Sequence, residues 1–160
     1  MKRICERICL VLCLLCGPAA AQDVPFAEPP YPSENHREPM LLALGDLMGL
    51  AQSRHIKLWQ AGKANYFQLV TYEAAKLSDS LYRAAMLYTN LPVPLIKAAD
   101  EALVRITAAA DKRNAADFQT AFRDLTNACN ACHRAAGLDF VKIKTPTSSP
   151  FTNQDFTPPR

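Results

Sequence analysis

Cys129 and Cys132 stand three positions apart with His133 directly after them, in the run Cys-Asn-Ala-Cys-His. Thiols at this spacing lie on nearly the same face of a helix. Both can form thioethers with the two vinyl groups of one porphyrin while the adjacent imidazole reaches its iron. The run therefore reads as a site for one covalently bound haem c, with Cys129 and Cys132 as attachment points and His133 as the proximal iron ligand. Two other chemistries use the same residue types. Thiol exchange usually sits where a strand turns into the start of a helix. A zinc site needs further ligands, and beyond His133 the chain offers only His36, His55 and carboxylates.

The remaining cysteines bear on the compartment. Lys2, Arg3 and Arg7 precede an apolar run from Ile8 to Cys16, and Gly17-Pro18-Ala19-Ala20-Ala21 ends in small residues. This pattern is that of a secretory signal peptide over 1–21, too short to span a bilayer and cleaved near Ala21. Four of the six cysteines, Cys5, Cys9, Cys13 and Cys16, would leave with it, so Cys129 and Cys132 would be the only thiols of the exported chain. A periplasmic location is expected. Loss of three basic residues and one acidic residue would leave 15 Lys and Arg against 14 Asp and Glu, close to neutrality. With no basic cluster interleaved with aromatics, nucleic-acid binding is not expected. The mature length suits one domain with a real core.

The elements that must position the motif follow from spacing. Residues 22–39 carry Pro25, Pro29, Pro30, Pro32 and Pro39 and read as an extended leader. Over 40–61, Leu41, Leu44, Met48, Ala51, His55 and Leu58 follow the three-four spacing of one helical face, with Gly62 as the stop. Phe67, Val70, Ala74, Leu77, Leu81, Ala84 and Tyr88 mark a second helix that Asn65 can cap. Pro94 opens a third through Ile96, Ala99, Leu103, Ile106 and Ala110, and Asn114 can cap a fourth. That last helix carries Phe118, Ala121, Phe122, Leu125, Cys129, Cys132 and Ala136 on one stripe before Gly137. The expectation is an all-α, antiparallel four-helix bundle over 40–137. A Pro-rich irregular tail follows over 138–160, either a disordered end or, because exposure of Phe140, Phe151 and Phe156 would be costly, packed along the bundle or over a haem edge. Trp59 reads as a core anchor, and the mixed charges of Lys76, Asp79, Asp100, Glu101, Asp111, Lys112 and Arg113 as solvated surface.

A haem-attachment motif late in the last helix of an exported four-helix chain resembles cytochrome c′ and its low-spin relatives, the class II cytochromes c. The resemblance covers about 40–137. It implies a cytochrome c′-like bundle, covalent haem, a distal haem side facing the first helix, and commonly a homodimer through the first two helices. Tyr66, Tyr72 and Tyr82 are aromatics expected on the outside there. Cytochromes c′ usually carry a basic residue four positions after the proximal His, where this chain has Gly137, and an Arg in the first helix where it has Leu44. Arg54-His55-Ile56-Lys57-Leu58-Trp59 and Pro150-Phe151-Thr152-Asn153-Gln154-Asp155-Phe156 are not features of cytochrome c′. They look like segments of a group of small, functionally uncharacterised bacterial haem proteins.

The sixth iron ligand separates the functions that remain. A thioether there gives low-spin iron suited to one-electron transfer, whereas an open position suits NO or CO. Met48 and His55 are the inner-face candidates, with Met40 and Met86 weaker. For a first helix that starts at Met40, Met48 lies about 12 Å from the shared bundle end, His55 about 22 Å and His133 about 5 Å, so Met48 is preferred and His55 is the alternative ligand or a haem-pocket residue. The expected function is electron transfer between unidentified redox partner proteins. A five-coordinate NO- or CO-binding or sensing module is the alternative, and a haem-free metal-binding or structural bundle the third reading. No hydrolytic constellation is visible, and no membrane span is expected in the mature chain.

Overall fold

The computed structural model describes residues 43–160. The expected signal peptide, the leader, His36 and the proposed helix start at Met40 lie outside the described residues. Four helices follow in order: α1 (Leu44–Lys63), α2 (Phe67–Leu87), α3 (Val93–Asp111) and α4 (Ala115–Ala135). They pack against one another, and no strand occurs among the described residues. The described residues form an all-α four-helix bundle, and none of these helices is long and apolar enough to cross a membrane.

Helices α1, α3 and α4 end in the same way. Each closes on a left-handed residue, Asn65 (φ 55°), Arg113 (φ 50°) and Gly137 (φ 70°). The following residue's N–H then reaches back to a carbonyl five positions earlier: Tyr66 to Ala61 at 2.9 Å, Asn114 to Ala109 at 2.9 Å, and Leu138 to His133 at 2.8 Å. This is the Schellman arrangement, which satisfies the last carbonyls while reversing the chain. Asn65 therefore terminates α1 and does not cap the second helix, whose N-cap is Tyr66 without a side-chain bond. Asn114 does cap α4, its Oδ1 accepting from the N–H groups of Ala116 and Asp117 at 3.0 and 3.1 Å. Pro94 sits in the first turn of α3, where its missing N–H costs nothing.

The end of the bundle nearest these α1 and α3 termini is filled by aromatic rings. Phe118 and Phe122 are fully buried, and Trp59 lies 6.1 Å from the first ring centroid and 4.8 Å from the second. Burial of each Phe side chain contributes about 2–3 kcal/mol. Gly62 does not stop α1, which continues to Lys63. Its role is close approach: a Cβ there would stand 2.0 Å from Phe118 Cε1 and Cζ. Across the α1–α2 seam, Arg54 Nη1 donates to the buried Glu73 Oε2 at 3.0 Å. Asp100 is half-buried and accepts the Ser78 hydroxyl at 2.5 Å, so it joins α2 to α3 and is not purely solvated surface.

The bundle does not close evenly. Helices α1 and α4 make much sparser contact than α1 with α2, α2 with α3, or α3 with α4. That open seam creates the space described below.

The glycines of α1 provide a stability test. Gly62→Ala is expected to destabilise the protein by about 1–3 kcal/mol, because the buried Phe118 ring cannot yield without strain. Gly49→Ala, whose Cβ would meet nothing within 4 Å, should instead add about 0.5–1 kcal/mol of helix stability. Urea unfolding of the two variants checks the contrast, and equal effects would contradict it.

Candidate functional site

Between α1 and α4 lies a cavity of about 410 Å³, within the range of small-molecule and cofactor sites. Four helix segments meet around it: Leu44 to His55 of α1, Leu77 to Ala84 of α2, Leu95 to Ala99 of α3, and Ala128 to Ala136 at the end of α4. The first residues of the tail, Leu138, Val141 and Ile143, complete the wall. Most of the lining is aliphatic. The structure brings Cys129, Cys132, His133, Met48 and His55 together on this one cavity. Met86 is absent from its lining and 64% exposed.

The two thiols are free and not joined as a disulfide. Burial pushes Cys129 from an ordinary 9.0 up to about 11; the adjacent Cys132 adds to the rise and a backbone hydrogen bond opposes it. Burial also raises Cys132. These are protonated thiols in an apolar wall, the reverse of the acidified thiol that drives exchange. Among the described residues, no group of three or more His, Cys, Asp or Glu is placed to hold a metal ion by itself.

His133 lies beside them with its tautomer determined. Its Nδ1 is 2.7 Å from the carbonyl oxygen of Val141, which can only accept. Nδ1 therefore carries a proton, and in the neutral ring the lone pair is on Nε2. A second-sphere carbonyl of this kind both orients a ligating imidazole and raises its basicity. Two further bonds hold the tail segment that provides this carbonyl. Asn130, inside the Cys-x-x-Cys run, donates from Nδ2 to the Ile143 carbonyl and accepts the Ile143 N–H on Oδ1, both at 2.8 Å.

His55 is arranged differently. Thr126 has one hydroxyl proton, and it goes to the Phe122 carbonyl at 2.9 Å. The 2.9 Å contact between Thr126 Oγ1 and His55 Nε2 must then be donated by His55. Its Nε2 is spent, and only Nδ1 retains a lone pair. The ring is 3% exposed and lies 4.4 Å from Phe122, and burial lowers its pKa from 6.5 to about 4.

That hydrogen bond also fixes the register of α1 against α4. Met48 precedes His55 by seven residues, and His133 follows Thr126 by seven. The two helices are antiparallel, so Met48 and His133 fall at the same level along the bundle. His55 lies about 10 Å further in. Spacing in the sequence orders the two residues from a helix end at Met40, outside the described residues; the His55–Thr126 pair orders them from an internal reference.

Sequence reasoning missed Val141, Ile143 and Asn130 as parts of the site. Val141 and Ile143 act through backbone groups, which leave no side-chain signature, and Asn130 occupies a position that the motif leaves unspecified. Of the tail aromatics, Phe156 packs on the core and Phe151 lies 4.6 Å beneath Lys57 Nζ, whereas Phe140 is 78% exposed. The Arg54–Trp59 segment and the Phe151 tail thus touch each other. Comparison with protein-family models, curated proteins and solved structures returns no match.

The neutral state of His55 predicts a pH dependence. The unfolded chain takes up a proton near 6.5 and the folded chain only near 4, so this contribution is complete above 6.5 and is lost as pH falls through the interval, by about 3 kcal/mol. Denaturant midpoints measured from pH 7 to pH 4 should show this slope, and His55→Gln should remove it. An unchanged slope in the variant would assign the effect to other groups.

Proposed function

We propose that the chain is an exported c-type cytochrome that carries single electrons between partner proteins in the periplasm, with one haem held by Cys129, Cys132 and His133. The observation that carries this reading is the pairing of His133 Nδ1–H with the Val141 carbonyl. It leaves Nε2 as a free donor atom beside two thiols on the wall of one apolar cavity. The residues fit the group: two attachment sulfurs, one nitrogen ligand, and aliphatic walls from all four helices. When bound, haem supplies one-electron Fe(III)/Fe(II) exchange.

The chain's own residues do the rest. Leu77, Leu81, Leu95 and Ile96 exclude water from the pocket, which lowers the local dielectric and favours the state of lower charge. His133 is oriented before any ligand arrives, so little rearrangement accompanies a change of charge. Met48, level with His133 across the open seam, is the proposed distal ligand. His55, with Nε2 committed to Thr126, is assigned to the pocket wall. The position of the attachment run at the end of the fourth helix supports a place among the class II cytochromes c. A homodimer through the first two helices draws support from Tyr72 and Tyr82, which are 51% and 65% exposed on α2; Tyr66 is half-buried and is not part of that face.

A five-coordinate NO- or CO-binding haem is a second reading with its own support. Gly45 and Gly49 flank Met48 on the cavity wall, and a Cβ at either position would meet nothing within 4 Å. Such space can admit a small diatomic ligand if Met48 does not bind.

Substitution of Met48 decides between the two. Met48→Ala should convert a low-spin ferric spectrum to high spin, open the iron to CO, and lower the reduction potential, because a thioether favours the ferrous state. His55→Ala should leave the iron low-spin. A high-spin spectrum in the unsubstituted protein would support the gas-binding reading, and an effect confined to His55→Ala would move the distal ligand to that residue.

A further inference from the structure

We propose that residues 138–143 form a proximal strap that fixes the orientation and tautomer of His133, and that Asn130 is the positioning residue that holds the strap in place. This inference rests on His133 being the iron ligand and adds a control element to that site. Irregular chain after a last helix ordinarily frays unless it is tied down. Here it is tied at successive points. Gly137 reverses the chain, and the Leu138 N–H returns to the His133 carbonyl at 2.8 Å. The Val141 N–H bonds the Leu138 carbonyl at 2.9 Å, which closes a turn over the end of α4. The Val141 carbonyl, so aimed, takes the His133 Nδ1–H at 2.7 Å. Two residues later, the Asn130 amide grips the Ile143 peptide through both its N–H and its C=O.

The geometry couples the motif to the strap at two levels. Asn130 lies between the two attachment cysteines, so the same helical turn that fixes the sulfurs also fixes the segment that orients the imidazole. Leu138, Val141 and Ile143 line the cavity, and Val141 directs its carbonyl at the ring. Water reaching Nδ1 would be a weaker and mobile acceptor. A fixed carbonyl draws the Nδ1 proton, increases electron density at Nε2 and stabilises the ferric state, so the strap lowers the reduction potential. Farther along, Phe151 beneath Lys57 and Phe156 on the core hold the tail against the bundle.

The test is Asn130→Ala, with the exposed Asn127→Ala on the same helix as control, in the holoprotein. Asn130→Ala should raise the reduction potential, and the His133 Nδ1 proton, observed by NMR in the diamagnetic ferrous protein, should exchange with solvent roughly fivefold faster or more. Asn127→Ala should change neither. A loss of packing alone would lower the melting temperature without moving the potential or the proton exchange. An unchanged potential and unchanged exchange in Asn130→Ala would overturn the proposal, as would the same shifts in the control. If the isolated protein contains no haem, the haem reading itself fails, and the exchange measurement on that protein still tests whether Asn130 holds the strap on His133.

Discussion

The buried hydrogen bond from His55 to Thr126 is the constraint on which the site depends. It is a tie across the one seam of the bundle that packs sparsely, and it sets which residues of α1 stand opposite which residues of α4. A helix pair joined by a broad apolar seam can slide or rotate at small cost, whereas a buried polar pair tolerates neither without leaving an unsatisfied group, at about 1–3 kcal/mol. With Thr126 also bonded to its own helix backbone, the pair admits one proton arrangement and one register. That register brings Met48 level with His133.

Beyond this tie the two ends of the bundle have opposite character. On one side, Trp59, Phe118 and Phe122 fill the interior, and Gly62 gives up its side chain so that the Phe118 ring can touch the helix backbone. On the other, α1 presents Gly45 and Gly49 and α4 presents cysteine and alanine, so the helices diverge around a cavity. Helix propensity is sacrificed at Gly62, at about 1 kcal/mol, for contact with Phe118, whereas the space beside Gly45 and Gly49 is open. Packing at the aromatic end holds the helices together while the other end stays open.

Much of this was legible in the chain. The three-four stripes of all four helices, the Asn114 cap, the Pro94 start and the inward face of Cys129 and Cys132 follow from side-chain type and spacing. The failures were at helix ends. Gly62 and Asn65 have the composition of a stop and a cap, yet the first is a packing glycine and the second is the left-handed closing residue of the preceding helix. A sequence offers no means to tell those roles apart, because each depends on what lies opposite in space. The tail was harder still. Its aromatics indicated packing, but the contribution of Val141 and Ile143 is made by peptide groups that every residue possesses, and only the fold determines where those groups point.

The proposed attachment of haem to Cys129, Cys132 and His133 is tested by intact-protein and peptide mass spectrometry of the chain exported in a cell that possesses haem-maturation machinery. One haem per chain is expected, resistant to acid-acetone extraction and located on the peptide that contains Cys129, Cys132 and His133, and lost when both cysteines are replaced. Recovery of the exported, folded chain with both thiols free, or joined to each other, and with no added haem mass would contradict it.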